Sequence, residues 1–186
     1  KDFEQIRSIA NEICNWFEDY NLDALLVACN TTNACALDIL EKNLRIPVFD
    51  LINSVPEIIT KKKIGVLATP TTIKTSYYKK IIESKIENVQ VYQQECPEFV
   101  SEIEKIDFDV NKLNYLTELY LNPLLKKDVD EIILGCSHYP LIYNILKNKM
   151  PSYVKIIDPS VALVNKFNNL FLISKNYCSK SISNQN

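Results

Sequence analysis

Apolar residues recur along this chain in two alternating patterns. One is a three-to-four spacing, as at Phe3, Ile6, Ile9, Ala10, Ile13 and Phe17, which predicts an amphipathic helix over 3–20 with Cys14 packed beside its stripe. The other is a short unbroken apolar run, as in 24–28, 64–68 and 132–134, which predicts buried strands. Further strands are expected at 47–50, 89–92 and 154–158. Helices are expected at 33–43, at 55–60 behind Ser54 as N-cap, from the Thr69-Pro70-Thr71-Thr72 junction on through Tyr77, Ile81 and Ile82, and at 140–150. A helix over 110–125 would turn Leu113, Leu116, Tyr120 and Leu124 inward. A last one from Asp158-Pro159-Ser160 would do the same with Val161, Val164, Phe167 and Leu170. The stretch 93–104, with Cys96-Pro97, reads as an irregular loop, and the polar tail from Ser174 as frayed. Strands alternating with helices predict a parallel α/β fold.

Within that alternation one unit occurs twice. Val27-Ala28-Cys29-Asn30-Thr31-Thr32 and Leu134-Gly135-Cys136-Ser137-His138-Tyr139 each end an apolar run in a small residue, a cysteine and polar side chains before a helix. Each is followed by a second strand ending in aspartate: Asp50 lies 21 residues after Cys29, and Asp158 lies 22 after Cys136. We read this as a strand–Cys–helix–strand–Asp unit used twice, 107 residues apart. In α/β proteins such strand ends carry the ligand crevice.

Composition narrows the chemistry. With 47% hydrophobic residues the 186-residue chain can build a real core, and its net charge of −2 gives no basic footprint for nucleic acid. No stretch is long enough to span a membrane. Six cysteines at irregular spacing, without a CxxC, read as free cytosolic thiols rather than a disulfide scaffold, and Cys35 as a small buried residue. One histidine is too few for a zinc site, so no metal is expected. Two glycines, in neither a GxGxxG nor a P-loop, give no support for a nucleotide cofactor.

A thiol needs free N–H dipoles or a nearby cation to become a thiolate, and both Cys29 and Cys136 precede a helix start. His138 could assist Cys136 as the base of a Cys–His hydrolase or transferase, which would leave Cys29 without a role. Two thiols on related strand ends suit a base on one face of a substrate and an acid on the other, as inversion of a stereocentre by proton transfer requires. The hydroxyls of Thr69 and Thr72 beside a helix start suit a carboxylate, and equally suit helix capping.

At these residues the chain resembles the glutamate racemases of the aspartate/glutamate racemase family. The two cysteine signatures carry the resemblance, together with Ala68-Thr69-Pro70-Thr71-Thr72, Cys96-Pro97-Glu98-Phe99-Val100 and Ile157-Asp158, over nearly all of residues 1–172. It implies two pseudo-symmetric α/β domains with mainly parallel sheets and the active site in the cleft between them. Residues 1–53 with 159–186 would form the first, incomplete domain, and 54–158 the second. It implies cofactor-independent interconversion of L- and D-glutamate, with Cys29 and Cys136 as proton donor and acceptor on opposite faces of the α-carbon. Asn30, Thr31, Ser137 and His138 would bind substrate, and Glu104, or its neighbour Glu102, would support the second cysteine. Ser137 stands where the family usually has threonine and keeps the hydroxyl.

The resemblance further implies a cytoplasmic role supplying D-glutamate for peptidoglycan, with glutamate as partner and room for a homodimer. Family members carry an earlier segment with an Asp-Ser-Gly strand end and a Pro-Tyr-Gly loop, neither of which occurs here. A fragment of a longer product is therefore expected, with apolar surface exposed on its first domain. The rival readings are an aspartate or other amino-acid racemase of the same fold, and a shortened ligand-binding protein without turnover.

Overall fold

The computed structural model describes residues 1–172, with side chains through Leu170; Cys178 and the polar tail lie outside the described residues. Helix α1 (Phe3–Phe17) opens with a capping box, in which Asp2 accepts from the Gln5 N–H and the Gln5 side chain accepts from the Asp2 N–H. Strand β1 (Leu25–Val27), helix α2 (Asn30–Asn43) and strand β2 (Val48–Asp50) follow. The two strands pair in parallel with Leu25 opposite Val48. Only part of the α1 stripe is used: Ile6, Ala10 and Cys14 are buried with Cys35, Ala36 and Leu40 of α2, as expected of Cys14 and Cys35. Phe3, Ile9 and Ile13 are instead exposed, because α2 is narrower than the stripe. Arg7 ties the same two helices with a forked pair to Asp38 and a bond to the Cys35 carbonyl.

A 3-10 turn at Val55–Glu57 replaces the longer helix expected there, and Ser54 donates to the Asp50 carbonyl at 2.6 Å instead of capping it. Strand β3 (Lys63–Ala68) leads into α3 (Pro70–Thr75) and α4 (Tyr77–Lys85). The single helix expected here is broken at Ser76, whose φ of 55° is left-handed. Strand β4 (Gln90–Glu95) runs three residues beyond the expected end, because its register along β3 continues to Ala68 opposite Glu95. The expected loop then holds helix α5 (Phe99–Ile103). What orders it is tertiary: Phe99, fully buried, meets Tyr120 and Tyr139 edge-on at 5.0 and 5.2 Å.

Helix α6 (Val110–Leu125) is capped by Asp109 and turns Leu113, Leu116, Tyr120 and Leu124 inward as its spacing predicts. Strand β5 (Glu131–Gly135) comes next, then a 3-10 turn (Tyr139–Ile142), helix α7 (Tyr143–Asn148) and strand β6 (Lys155–Ile157). The helix expected over 140–150 is thus split, with Leu141 exposed. Helix α8 (Pro159–Phe167), capped by Asp158, passes into a π turn at Asn168–Leu172. It buries Ala162 and Leu163, while Val161, Val164 and Leu170 face solvent, contrary to the expected stripe. Leu163 and Phe167 pack on Phe49, one face of the helix being enough to cover β2.

The fold is α/β with parallel sheets. Strands β1 and β2 form a two-stranded sheet, and β4-β3-β5-β6 a four-stranded one in which every pairing is parallel. Alternate residues of the central strands feed different cores, as the period of two requires. Ile64, Val66, Ala68 and Ile133 join Tyr78 and Ile82 on one face. Leu67, Ile132 and Leu134 join Phe99, Leu113, Leu116 and Leu121 on the other. At the strand starts, fully buried Glu131 accepts from the Thr60 N–H and hydroxyl and from the Lys61 N–H, pinning the loop before β3. Both cysteine units end at the opposite, carboxyl edge.

Candidate active site

Cys29 is the N-cap of α2. Its sulfur accepts from the Thr32 N–H at 3.5 Å and is exposed. The position is fixed by Asn33, one helical turn on and buried. The Asn33 amide donates to the Val27 and Cys29 carbonyls, both at 2.8 Å, and accepts from the Leu51 N–H at 2.7 Å. One side chain therefore joins the ends of β1 and β2 and holds the cysteine between them.

Thr31, half-buried on the first turn of α2, reaches across to α3. Its hydroxyl lies 3.1 Å from those of Thr69 and Thr72, which are 2.9 Å from each other. Thr69 caps α3, accepting from the Thr72 N–H. Three hydroxyls in a closed triangle can each donate once, so each has a proton available if an anion replaces its neighbour. Asn30, almost wholly buried, accepts a short hydrogen bond from the Tyr78 hydroxyl on α4.

Cys136 follows β5 and is buried. Burial pushes its thiol up to about 11, against the pull of the His138 backbone N–H, and the neighbouring charges of Cys29 and Glu104 add to the rise. His138 Nδ1 lies 3.7 Å from the Cys136 sulfur, and His138 Nε2 lies 2.9 Å from Glu104 at the end of α5. A carboxylate only accepts, so Nε2 carries a proton; in the neutral ring the bare nitrogen is then Nδ1, the one that faces the thiol. Glu102, the alternative partner, is buried elsewhere. A hydrogen bond from Lys105, with Lys112 beside it, holds its carboxyl below the usual carboxylate range. Ser137 is exposed on the recess that Cys136 lines.

The predicted site residues therefore gather in two groups. Cys29, Thr31 and Thr69 line a recess of about 410 Å³ whose far wall is the apolar face of α1, Ile6, Ile9 and Ile13, with Val100. Asn30, Cys136, Ser137 and Asp158 line a second, of about 400 Å³. The first turn of α2 stands between them, latched by Thr31 on one side and Asn30 on the other. The larger recess near α3, about 870 Å³, is lined by neither thiol and by none of the site candidates, so size does not mark the chemistry here. Asn33 and Tyr78 were not singled out in the sequence. An Asn four residues past the cysteine is a findable signal, since its amide can bridge two strand ends. Tyr78 at a helical core position gives none.

A protein-family model described as Asp/Glu/Hydantoin racemase matches residues 3–167. The chain is 49% identical over 175 residues to the glutamate racemase of Prochlorococcus marinus (strain NATL2A), covering 94% of this chain and 66% of that protein. It is 38% identical over 163 residues to that of Synechococcus sp. (strain CC9605), covering 88% and 62%. The chain thus spans just under two thirds of the length of these relatives. Among solved structures it superposes on a glutamate racemase from Francisella tularensis in complex with D-glutamate, with a TM-score of 0.88, 32% identity, and 94% and 66% coverage. A glutamate racemase isoform from Bacillus anthracis gives 0.87, 29%, and 94% and 67%. Matched from α1 to the end of α8, with both cysteine units inside the match, the chain belongs to the Asp/Glu/hydantoin racemase family.

Proposed function

We propose that this chain carries the proton-transfer machinery of a glutamate racemase. It would interconvert L- and D-glutamate by removing the α-proton to one thiolate and returning a proton from the other thiol, with no pyridoxal phosphate or metal. The observation that carries the reading is the Glu104–His138–Cys136 line. A buried thiol that stays protonated at neutral pH is a competent acid, and the bare Nδ1 beside it is the base that makes it a thiolate in the reverse direction. Cys29, at the N-terminus of α2 with free backbone N–H groups, takes the opposite role.

The substrate would span the two recesses, displacing the first turn of α2 that stands between them. Its carboxylate accepts hydrogen bonds donated by the hydroxyls of Thr31, Thr69 and Thr72, opening their triangle and drawing the first turn of α2 aside. Asn30, Ser137 and His138 hold the remaining polar groups. Among the described residues, 1–53 with 159–172 would form one wall of the cleft and 54–158 the other. The two separate sheets and the packing of α8 on Phe49 support that division. The likeness to glutamate racemases supports glutamate as the substrate, and a cytoplasmic role supplying D-glutamate for peptidoglycan belongs to the same proposal.

Racemisation followed by circular dichroism, and exchange of the α-hydrogen in deuterium oxide, test the scheme on the parent chain and on C29S and C136S. The expected result is loss of racemisation by more than about 10³-fold in each variant, as for groups acting as one unit. Indifference to Cys29→Ser would favour a Cys–His enzyme using Cys136 alone. A parent chain that binds glutamate without turnover would favour a ligand-binding protein.

A further inference from the structure

We propose that Tyr78 is a positioning residue for both cysteine units: its hydroxyl locks Asn30 with the amide nitrogen outward, as a hydrogen-bond donor to a ligand oxygen, while its ring seats the residue before Cys136. The inference rests on the proposed function for the identity of the ligand, and on geometry alone for the device.

Tyr78 is fully buried on α4, among Ile64, Val66, Ala68 and Ile133. Its hydroxyl points out of that core to Asn30 Oδ1, 2.5 Å away. Asn30 is the residue after Cys29. The Tyr78 ring lies against the backbone of Gly135, the residue before Cys136, where a Cβ on the glycine would come 3.2 Å from Cε2. One side chain thus touches both units, at the residue after one sulfur and the residue before the other.

The hydrogen bond has a direction that matters. Burial pushes the phenol well above its ordinary range, with Asp50, Cys136 and Asp158 adding to the rise, so the oxygen keeps its proton and donates. An amide that accepts through Oδ1 must turn Nδ2 the other way. Asn30 lines the recess that holds Cys136 and Ser137, and among the described residues its Nδ2 has no partner. An unlocked Asn30 would be free to flip and present its oxygen instead, repelling a carboxylate. Tyr78 therefore decides which half of the amide the ligand meets, and it does so from the core of the opposite sheet.

The test is a double-mutant cycle on the whole chain, with D-glutamate as probe. Tyr78→Phe keeps the ring and removes the hydroxyl; Asn30→Ala removes the group it acts on. Binding is measured by calorimetry and, where there is turnover, KM and kcat are separated. Tyr78→Phe is expected to weaken binding about tenfold in the parent, with kcat changed far less, and less than about twofold in the Asn30→Ala background. Equal losses in both backgrounds, or no loss in the parent, would overturn the proposal.

A second readout stands apart from glutamate. In the parent chain the Tyr78 hydroxyl proton should appear as a slowly exchanging, downfield NMR resonance that vanishes in Tyr78→Phe and shifts upfield in Asn30→Ala. If glutamate does not bind, the proposed function fails, and this resonance alone decides the lock. Its absence from the parent chain overturns it.

Discussion

The two cysteine units have the same order of strand, thiol, helix and aspartate, yet their sulfurs live in different surroundings. Cys29 leaves a two-stranded sheet and is exposed; Cys136 leaves an inner strand of a four-stranded sheet and is buried. Strand β5 is flanked by β3 and β6 and covered on both faces, so its end inherits a dry environment. Among the described residues strand β1 pairs with β2 alone, and Leu26 remains exposed beside it. A local motif specifies where a thiol sits along the chain; the sheet around it specifies which protonation state is cheap.

Alkylation is the most direct way to break this comparison, and it carries the largest expected effect. A thiol held near 11 is about 0.1% thiolate at pH 8, and the thiolate is the reacting species. Iodoacetamide followed by peptide mass analysis should label Cys29 at least ~100-fold faster than Cys136. The same shift predicts a pH-dependent contribution to stability. Burial of the neutral thiol stabilises the fold fully below the free-cysteine value of about 8.5 and stops doing so as pH rises through about 11. Cys136→Ser should flatten the fall in stability over that window. Comparable labelling of the two thiols would remove the distinction.

The residue before each sulfur gives the next test. A methyl on Gly135 would sit 2.8 Å from the Leu67 carbonyl and 2.9 Å from the Ala68 Cβ, both fixed by the central sheet. G135A should therefore cost about 2–4 kcal/mol in denaturant unfolding, as overpacking against backbone does. Ala28 already carries that methyl in the first unit, and A28G should cost less than about 1 kcal/mol. Asn33 separates the units again, since the matching place in the second is Pro140, which cannot staple two strands. N33A strands the buried Leu51 N–H and the Val27 carbonyl and is expected to cost about 2–3 kcal/mol.

Much of this was legible in the residues, and for definite reasons. Parallel α/β architecture follows from apolar runs alternating with helical spacing, and inner strands such as β3 and β5 show themselves because both faces are buried. What failed depended on partners that periodicity does not see. The α1 stripe is wider than the face it turns to α2, and α8 lays one face on β2, the Val55–Glu57 turn and β5 while its other face stays in solvent. Helix α5 owes its order to Phe99 meeting two aromatic rings from elsewhere in the chain. Of the site, the thiols, His138 and the threonines stand out by residue type. The choice between Glu102 and Glu104 required coordinates, because only the backbone path decides which carboxylate faces the imidazole. Separation of the thiols into two recesses was not foreseen, since the latch at Thr31 joins residues 38 and 41 positions apart.

The smallest expected effect lies on that carboxylate. Glu104 is 60% exposed and His138 34%, so their 2.9 Å contact sits in water and salt, where ion pairs contribute little. Its value is orientational: it decides that Nε2 rather than Nδ1 holds the proton of the neutral ring, and Cys136 needs that arrangement to give its proton up. E104Q can still accept from Nε2 through its amide oxygen, but it can also flip and offer a donor. Racemisation should fall several-fold rather than a thousandfold, with kcat reduced more in the direction that begins with Cys136 as base and kcat/KM reduced equally in both, since the equilibrium constant is fixed. A loss as large as that of Cys136→Ser would mean that Glu104 does more than aim the ring, and the contrast between a helped buried thiol and an unaided exposed one would have to be redrawn.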